Sequence, residues 1–154
     1  MRRAHRLMGA VVVTAFMITS VHASRAASWR FSGSQAGLWA DGGFNGFVVS
    51  CGPGGVSLEF FGFPARLESG MTFSVVVTVD GTARRFRTKA AARRGAAGST
   101  LSTTLSAAAT SDFLEALRRG KKAEIATPAG LYALPLAGSS KALDALRAVP
   151  GCRA

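Results

Sequence analysis

The residues able to do chemistry are few and unevenly placed. His5 and His22 both lie near the N-terminus, Cys51 and Cys152 stand far apart, and 8 acidic residues face 19 basic ones, for a net charge of +11. Six of the basic residues, Arg84, Arg85, Arg87, Lys89, Arg93 and Arg94, fall within eleven positions, and Arg118, Arg119, Lys121 and Lys122 form a second run. Runs of this kind can hold an anionic surface: a lipopolysaccharide, a phospholipid, a nucleic acid or an acidic protein. Stacking on nucleobases needs interleaved rings, and the first run contains only Phe86. The plainer reading is a solvated basic face, because charge by itself promotes solubility and steering rather than a site.

The acidic residues offer less. A glycosidase needs two carboxylates about 5–10 Å apart across a cleft, and Asp41 with Glu59 is the pair to weigh. Asp80, Asp112, Glu115 and Asp144 have local uses in a turn, at a helix start and on a helix surface. Ser140 and Lys141 are adjacent, but neighbours on a helix do not face each other. Gly52-Pro53-Gly54-Gly55 lacks the Lys-Ser/Thr that follows a phosphate loop and opens a strand, so it reads as a turn. No calcium loop of the EF-hand type occurs. No cofactor or metal site is implied.

Export removes more of the catalytic repertoire. Arg2, Arg3 and Arg6 precede an uncharged apolar stretch from Leu7 to Val21, followed by small residues, the three-part pattern of a signal peptide. Fifteen residues are short for a membrane span, which needs about 20. Cleavage is expected after Ala23, with Ala26 as the alternative, and no cysteine lies nearby to take a lipid. Residues 1–23 are then the leader and 24–154 a single domain. The mature chain keeps 131 residues, and with three arginines gone its 16 basic residues against 8 acidic ones leave a net charge of +8. Both histidines leave with the leader. A Ser-His-Asp triad, a Cys-His pair and the common catalytic zinc sets all need one. No later segment is long and apolar enough to span a membrane, so a periplasmic or secreted location follows.

Two cysteines in an exported chain read as one disulfide, Cys51–Cys152. Closing a loop of roughly 100 residues is worth up to about 4–5 kcal/mol in the chain-entropy model. The alternative is a reactive thiol, but there is no C-x-x-C motif.

The elements that must position these groups are mostly strands. Trp29-Arg30-Phe31, Leu38-Trp39-Ala40, Phe47 to Cys51 and Val56 to Phe63 read as strands, separated by Gly33 to Gly37, Asp41-Gly42-Gly43 with Asn45-Gly46, and Gly52 to Gly55. Phe73, Val75, Val77 and Val79 alternate up to Asp80-Gly81, and Arg84 to Arg87 returns, a hairpin with a type I′ turn. Lys89 to Ser99 reads as an exposed loop, and Thr100 to Ser106 as a strand. Asp112 with Glu115 has capping-box spacing before Phe113, Leu114 and Leu117, and Gly120 can stop that helix. Lys121 to Thr127 and Gly130 to Leu136 make two more strands. Ser139 or Ser140 caps a last helix carrying Leu143 and Leu146. The fold class is mainly β (α+β): an antiparallel β-sandwich or sheet with one or two short helices packed near the C-terminus.

Aromatic residues concentrate early: Trp29, Trp39, Phe44, Phe47, Phe60, Phe61 and Phe63. Adjacent strand residues point to opposite faces, so one of Phe60 and Phe61 belongs to the core and the other is exposed or lies under a helix. A ring left exposed beside Trp39 would make a partner-binding patch; core filling is the competing reading.

The C-terminal half also resembles a known pattern. Val79-Asp80-Gly81, then Phe113 to Gly120, then Leu134-Pro135-Leu136-Ala137-Gly138-Ser139-Ser140-Lys141-Ala142-Leu143, then Cys152, is loosely similar to small exported proteins of Gram-negative bacteria of the invasion-associated locus B type. The resemblance covers residues 72–152. It implies a periplasmic or surface β-rich protein without known catalytic residues.

Together these readings point to a non-enzymatic binding or accessory protein of the bacterial cell envelope, with Arg84 to Arg94 and Trp39 as contact surfaces. The partner would be an anionic envelope component or a protein. A specific nucleic-acid target is not expected, and nothing sets an oligomeric state. The alternatives are a secreted inhibitor or effector of a protein, and a hydrolase using carboxylates. Expression of the full chain in a secreting host, followed by mass spectrometry, is expected to return a product beginning at Ser24 or Ala27; a product retaining Met1 would contradict cleavage.

Overall fold

A computed structural model of the chain describes residues 27–150 and Cys152. The expected leader therefore lies outside the described residues. Nine strands form one antiparallel sheet: β1 (Ser28–Ser32), β2 (Gln35–Ala40), β3 (Gly43–Gly52), β4 (Gly55–Phe60), β5 (Thr72–Val79), β6 (Thr82–Ala92), β7 (Ser99–Thr104), β8 (Lys122–Thr127) and β9 (Gly130–Pro135). Their order across the sheet is β1-β2-β3-β4-β7-β6-β5-β8-β9. Helix α1 (Ala107–Arg119) joins β7 to β8, and α2 (Ser139–Arg147) follows β9. The architecture is mainly antiparallel β with two short helices, and a single sheet rather than a two-sheet sandwich.

The strands alternate because one face must be buried. Val56, Leu58 and Phe60 on β4 and Val75, Val77 and Val79 on β5 point into the core, while their neighbours are partly or fully exposed. Two-residue turns join five of the hairpins. Asp41 and Gly42 both have positive φ, 51° and 84°, as do Asp80 and Gly81, 43° and 90°. That is the type I′ geometry whose twist matches the strands it joins. Asp80 also reaches outside its turn: its carboxylate accepts the backbone N–H groups of Lys121 (3.0 Å) and Lys122 (3.2 Å) at the entrance to β8. Those two N–H donors hold its pKa below the ordinary value.

The inner face is covered by the helices. Phe113, Leu114 and Leu117 of α1 and Ala142, Leu143 and Leu146 of α2 are buried in the same cluster as the inward strand residues. Each such large side chain contributes about 1.5–3 kcal/mol when fully buried. The sheet curls around them until β1 reaches the end of β9. Trp29 of β1 donates its backbone N–H to Ala137 O (3.0 Å) and its indole N–H to Pro135 O (2.9 Å). Cys51 on β3 and Cys152 are bonded, with their Cα atoms 5.3 Å apart and both residues buried.

Several local expectations change. Asn45-Gly46 is not a turn. β3 runs through it, with register shifting between Gly37–Val48 and Trp39–Phe44, so Asn45, Gly46 and Phe47 stand opposite Leu38 alone. This is a bulge, with Gly46 at φ 77°. The strand from Val56 ends at Phe60 rather than Phe63. Residues 61–71 then cross beyond β7 and β6, pinned by Leu67 N–H to Ser99 Oγ (2.8 Å) and by Gly70 N–H to Ala90 O (2.8 Å). Lys89 to Ser99 is not all loop either. β6 continues to Ala92 because Lys89 to Ala92 pair with β7.

The helix starts also differ. Ser106, not Asp112, caps α1, accepting the Ala109 N–H at 3.4 Å. Gly120 does end α1, but at φ −67°. It is needed because a Cβ there would stand 2.6 Å from Val79 and 2.7 Å from Leu136. Gly138, at φ 85°, occupies the N-cap of α2. Ser139 is instead buried and donates to Leu117 O at 2.8 Å, tying the start of α2 to α1.

The disulfide closes a separation of 101 residues. Replacing Cys51 and Cys152 together by Ala is expected to lower unfolding stability in urea by about 2–5 kcal/mol, the range for loss of a native disulfide. An unchanged midpoint would show that the crosslink is redundant.

Candidate functional site

The outer face of the sheet is built by the residues that alternate with the core. On β6, Phe86, Thr88 and Ala90 are buried, so Arg85, Arg87 and Lys89 point outward and are exposed. The pleat spaces them about 7 Å apart, two residues per step. Lys89 stands abreast of Ser102 on β7, which stands abreast of Glu59 on β4. Lys89 and Glu59 are thus two strands apart, about 10 Å between Cα atoms, and no ion pair joins them. Beside that row, Thr104 pairs with Ser57 and Ser57 with Ser50. The floor between the cations is therefore largely hydroxyl.

Two open depressions share this floor. One, of about 550 Å³, is lined by Ser57, Glu59, Thr72, Arg87, Lys89 and Ser102, among others. The second, of about 480 Å³, shares Glu59 and Ser102 and adds Phe44, Phe61, Arg93 and Arg94. The aromatic end is braced by contacts between rings and cations. Trp39 meets Phe44 edge-on with centroids 5.2 Å apart, and the Arg30 guanidinium lies 5.4 Å from the Trp39 ring centroid. Arg93 lies 4.7 Å from the Phe61 centroid. Both Phe60 and Phe61 are buried, Phe60 in the main core and Phe61 outside that cluster. The cover over Phe61 includes an arginine, not a helix.

The fold thus brings together Arg87, Lys89, Arg93 and Arg94, with Trp39 behind Phe44 at one end and Arg85 further along β6. Arg84 is separated from them. It alternates with Arg85, is half-buried, and its Nη1 is buried without a hydrogen-bond partner among the described residues. In the second basic run the two arginines have a different fate, while Lys121 and Lys122 form no ion pair among the described residues. Glu115 pairs with Arg118 (2.9 Å), Arg119 and Arg147 (3.5 Å), and Arg118 also lies 2.8 Å from Asp144. The Arg118 Nε–Asp144 contact lacks hydrogen-bond geometry, so it is a contact between charges only. The Arg118 hydrogen bond holds Glu115 below the usual carboxylate range. No ion pair forms at Arg85, Arg87, Lys89, Arg93 or Arg94 among the described residues.

The carboxylate pair is not assembled in either depression. Glu59 lines both depressions, whereas Asp41 sits in the β2–β3 turn and lines neither. Ser140 and Lys141 are exposed neighbours on α2. Among the described residues, no three His, Cys, Asp or Glu side chains converge as a metal site would require, and no helix is long and apolar enough to cross a membrane. Phe44 and the hydroxyl floor were absent from the sequence candidates. Their signal is the outward alternation of Ser57 and Glu59 on β4 and of Thr100, Ser102 and Thr104 on β7.

A third depression, of about 360 Å³, lies where Tyr132 of β9 approaches the β3 bulge. The Tyr132 hydroxyl donates to Gly46 O at 3.0 Å, and burial raises its pKa above the ordinary value of 10.0. No protein-family model, no curated protein and no solved structure matches the chain. Tyr132 is the only tyrosine. Absorbance at 295 nm is therefore expected to show no tyrosinate in the folded protein as pH passes 10.0, and to show it there once urea unfolds the chain. Ordinary titration in the folded state would contradict the buried placement.

Proposed function

We propose that the protein is a periplasmic or secreted, non-enzymatic binding or accessory protein of the bacterial cell envelope. Its outer face engages an anionic partner. One observation carries this reading: the helix arginines are held by Glu115 and Asp144, while the strand cations have no carboxylate partner among the described residues. Charges left in a row raise the local potential and attract a polyanion. The carboxylates support binding over hydrolysis, because Glu59 lies in the groove and Asp41 does not. The export pattern in the sequence and the buried disulfide both suit an oxidising compartment.

A second reading, a secreted inhibitor or effector of a protein, has a separate observation in its favour. Leu131 is 69% exposed and lines the depression near Tyr132. With Pro64 and Ala129 on the same lining it gives that hollow a contiguous apolar rim, which suits a protein contact.

The test is retention of the mature protein on washed envelope fractions and release by salt. Changing Arg85, Arg87 and Lys89 together to Ala is expected to abolish retention at about 0.15 M salt, where exposed charges still act over about 8 Å. A control with Arg66, Lys121 and Lys141 changed to Ala removes the same charge elsewhere and is expected to stay bound. Equal retention of both triple variants would sink the outer-face reading.

A further inference from the structure

The composition of the groove narrows the class of anion. We propose that the outer face binds an anionic polysaccharide laid across β4, β7 and β6, with sugar rings against Trp39 and Phe44 and acidic groups on Arg87, Lys89, Arg93 and Arg94. This rests on the envelope-binding reading above and specifies its ligand. The two depressions are shallow, adjoining and shared at Glu59 and Ser102. A connected open groove suits a chain, whereas a small ligand is usually enclosed in a concave, mostly apolar pocket.

The floor supplies what a sugar polymer needs between its charges. Ser57, Ser102 and Thr104 present hydroxyls that both donate and accept. Glu59 adds an acceptor-only carboxylate at the centre. Its position discriminates between polyanions. A DNA strand or an acidic homopeptide has no hydroxyl between its charges to offer Glu59, and its anionic groups would meet that carboxylate with repulsion. An acidic polysaccharide carries neutral hydroxyls between its anionic groups, and a hydroxyl can donate to Glu59. The cations then meet carboxylate, phosphate or sulfate groups, which arginine binds with paired N–H donors.

The aromatic end points the same way. Stacking of successive bases needs a series of open ring faces. Phe61 is buried with Arg93 over it, and Arg30 stands over Trp39. The half-buried Trp39–Phe44 pair leaves one bounded apolar patch. A patch of that size takes the apolar C–H face of a single sugar ring rather than a run of bases.

Binding of the mature protein to polygalacturonate is compared by titration with binding to neutral dextran, oligo(dT) and poly-glutamate at about 0.1 M salt, where screening still leaves surface charges effective. Polygalacturonate is expected to bind and dextran not. Arg87→Gln with Lys89→Gln is expected to weaken polygalacturonate at least tenfold. Trp39→Ala, with its fold checked by thermal unfolding, is expected to weaken it severalfold, and Trp39→Phe to restore most of the loss. Glu59→Gln is the discriminating variant: it should weaken polygalacturonate severalfold while tightening oligo(dT) and poly-glutamate. The inference is overturned if oligo(dT) or poly-glutamate binds more tightly than polygalacturonate, or if Glu59→Gln tightens all three. Retention on envelope fractions without polygalacturonate binding overturns this inference alone. Failure to bind either overturns the envelope-binding reading with it.

Discussion

The junction at Trp29 decides the shape of the molecule. A nine-stranded open sheet has two unpaired edges and an apolar face too broad for two short helices lying on a flat surface. Exposed edges invite pairing with other chains. Curling until β1 reaches the end of β9 removes part of both problems. Trp29 makes the contact with two donors, its backbone N–H to Ala137 O and its indole N–H to Pro135 O. Gly138 then has to lie close against Trp29, since a Cβ there would come within 3.3 Å of the Trp29 carbonyl oxygen. Its left-handed backbone starts α2 in the direction that brings Ser139 to Leu117 and Cys152 to Cys51. The closure, the helix docking and the disulfide are successive consequences of one geometric demand.

Local chemistry made much of this fold legible. Period-two alternation marks β4 and β5, and Asp80-Gly81 specifies its turn because two adjacent positive φ values favour those residues. Legibility fails where a distant residue decides. Asn45-Gly46 has the composition of a turn, yet its Gly46 carbonyl accepts from Phe61 N–H and from the Tyr132 hydroxyl. Those partners stabilise a bulge inside a continuous strand. The first turns of α1 carry no apolar stripe before Thr110 and Phe113, so Asp112 looks the better start. Ser106 prevails because Ala107 to Ala109 have strong helix propensity and the Ser106 carbonyl also receives the Thr110 hydroxyl, at 2.8 Å.

The candidate site was half legible for a related reason. The basic cluster is plain in the sequence, but its division between two faces is not. Ala90 to Ala92 have low strand propensity, and the stretch reads as loop until β7 pairs with it. Once β6 is known to continue, alternation sends Arg85, Arg87 and Lys89 outward and Arg84 inward. Phe44 and Trp39 join them through the bulged β2–β3 pairing, whose register has no local signature.

The two treatments of positive charge in one small chain then bear on function. On the helices, Arg118, Arg119 and Arg147 share Glu115 and Asp144, so two of their three charges are offset within the fold. On β6 the sheet fixes the spacing of its cations and supplies Glu59 only at a distance of two strands. Like charges held in register repel, and a sheet gains from opposite charges placed across from each other. Ser74, Val76 and Ser102 occupy the positions opposite Arg87, Arg85 and Lys89, where acidic residues would have relieved that repulsion. The fold therefore carries an uncompensated potential on a rigid, hydroxyl-lined surface. A polyanion that neutralises it meets cations already at fixed spacing, and little further ordering of the backbone opposes binding.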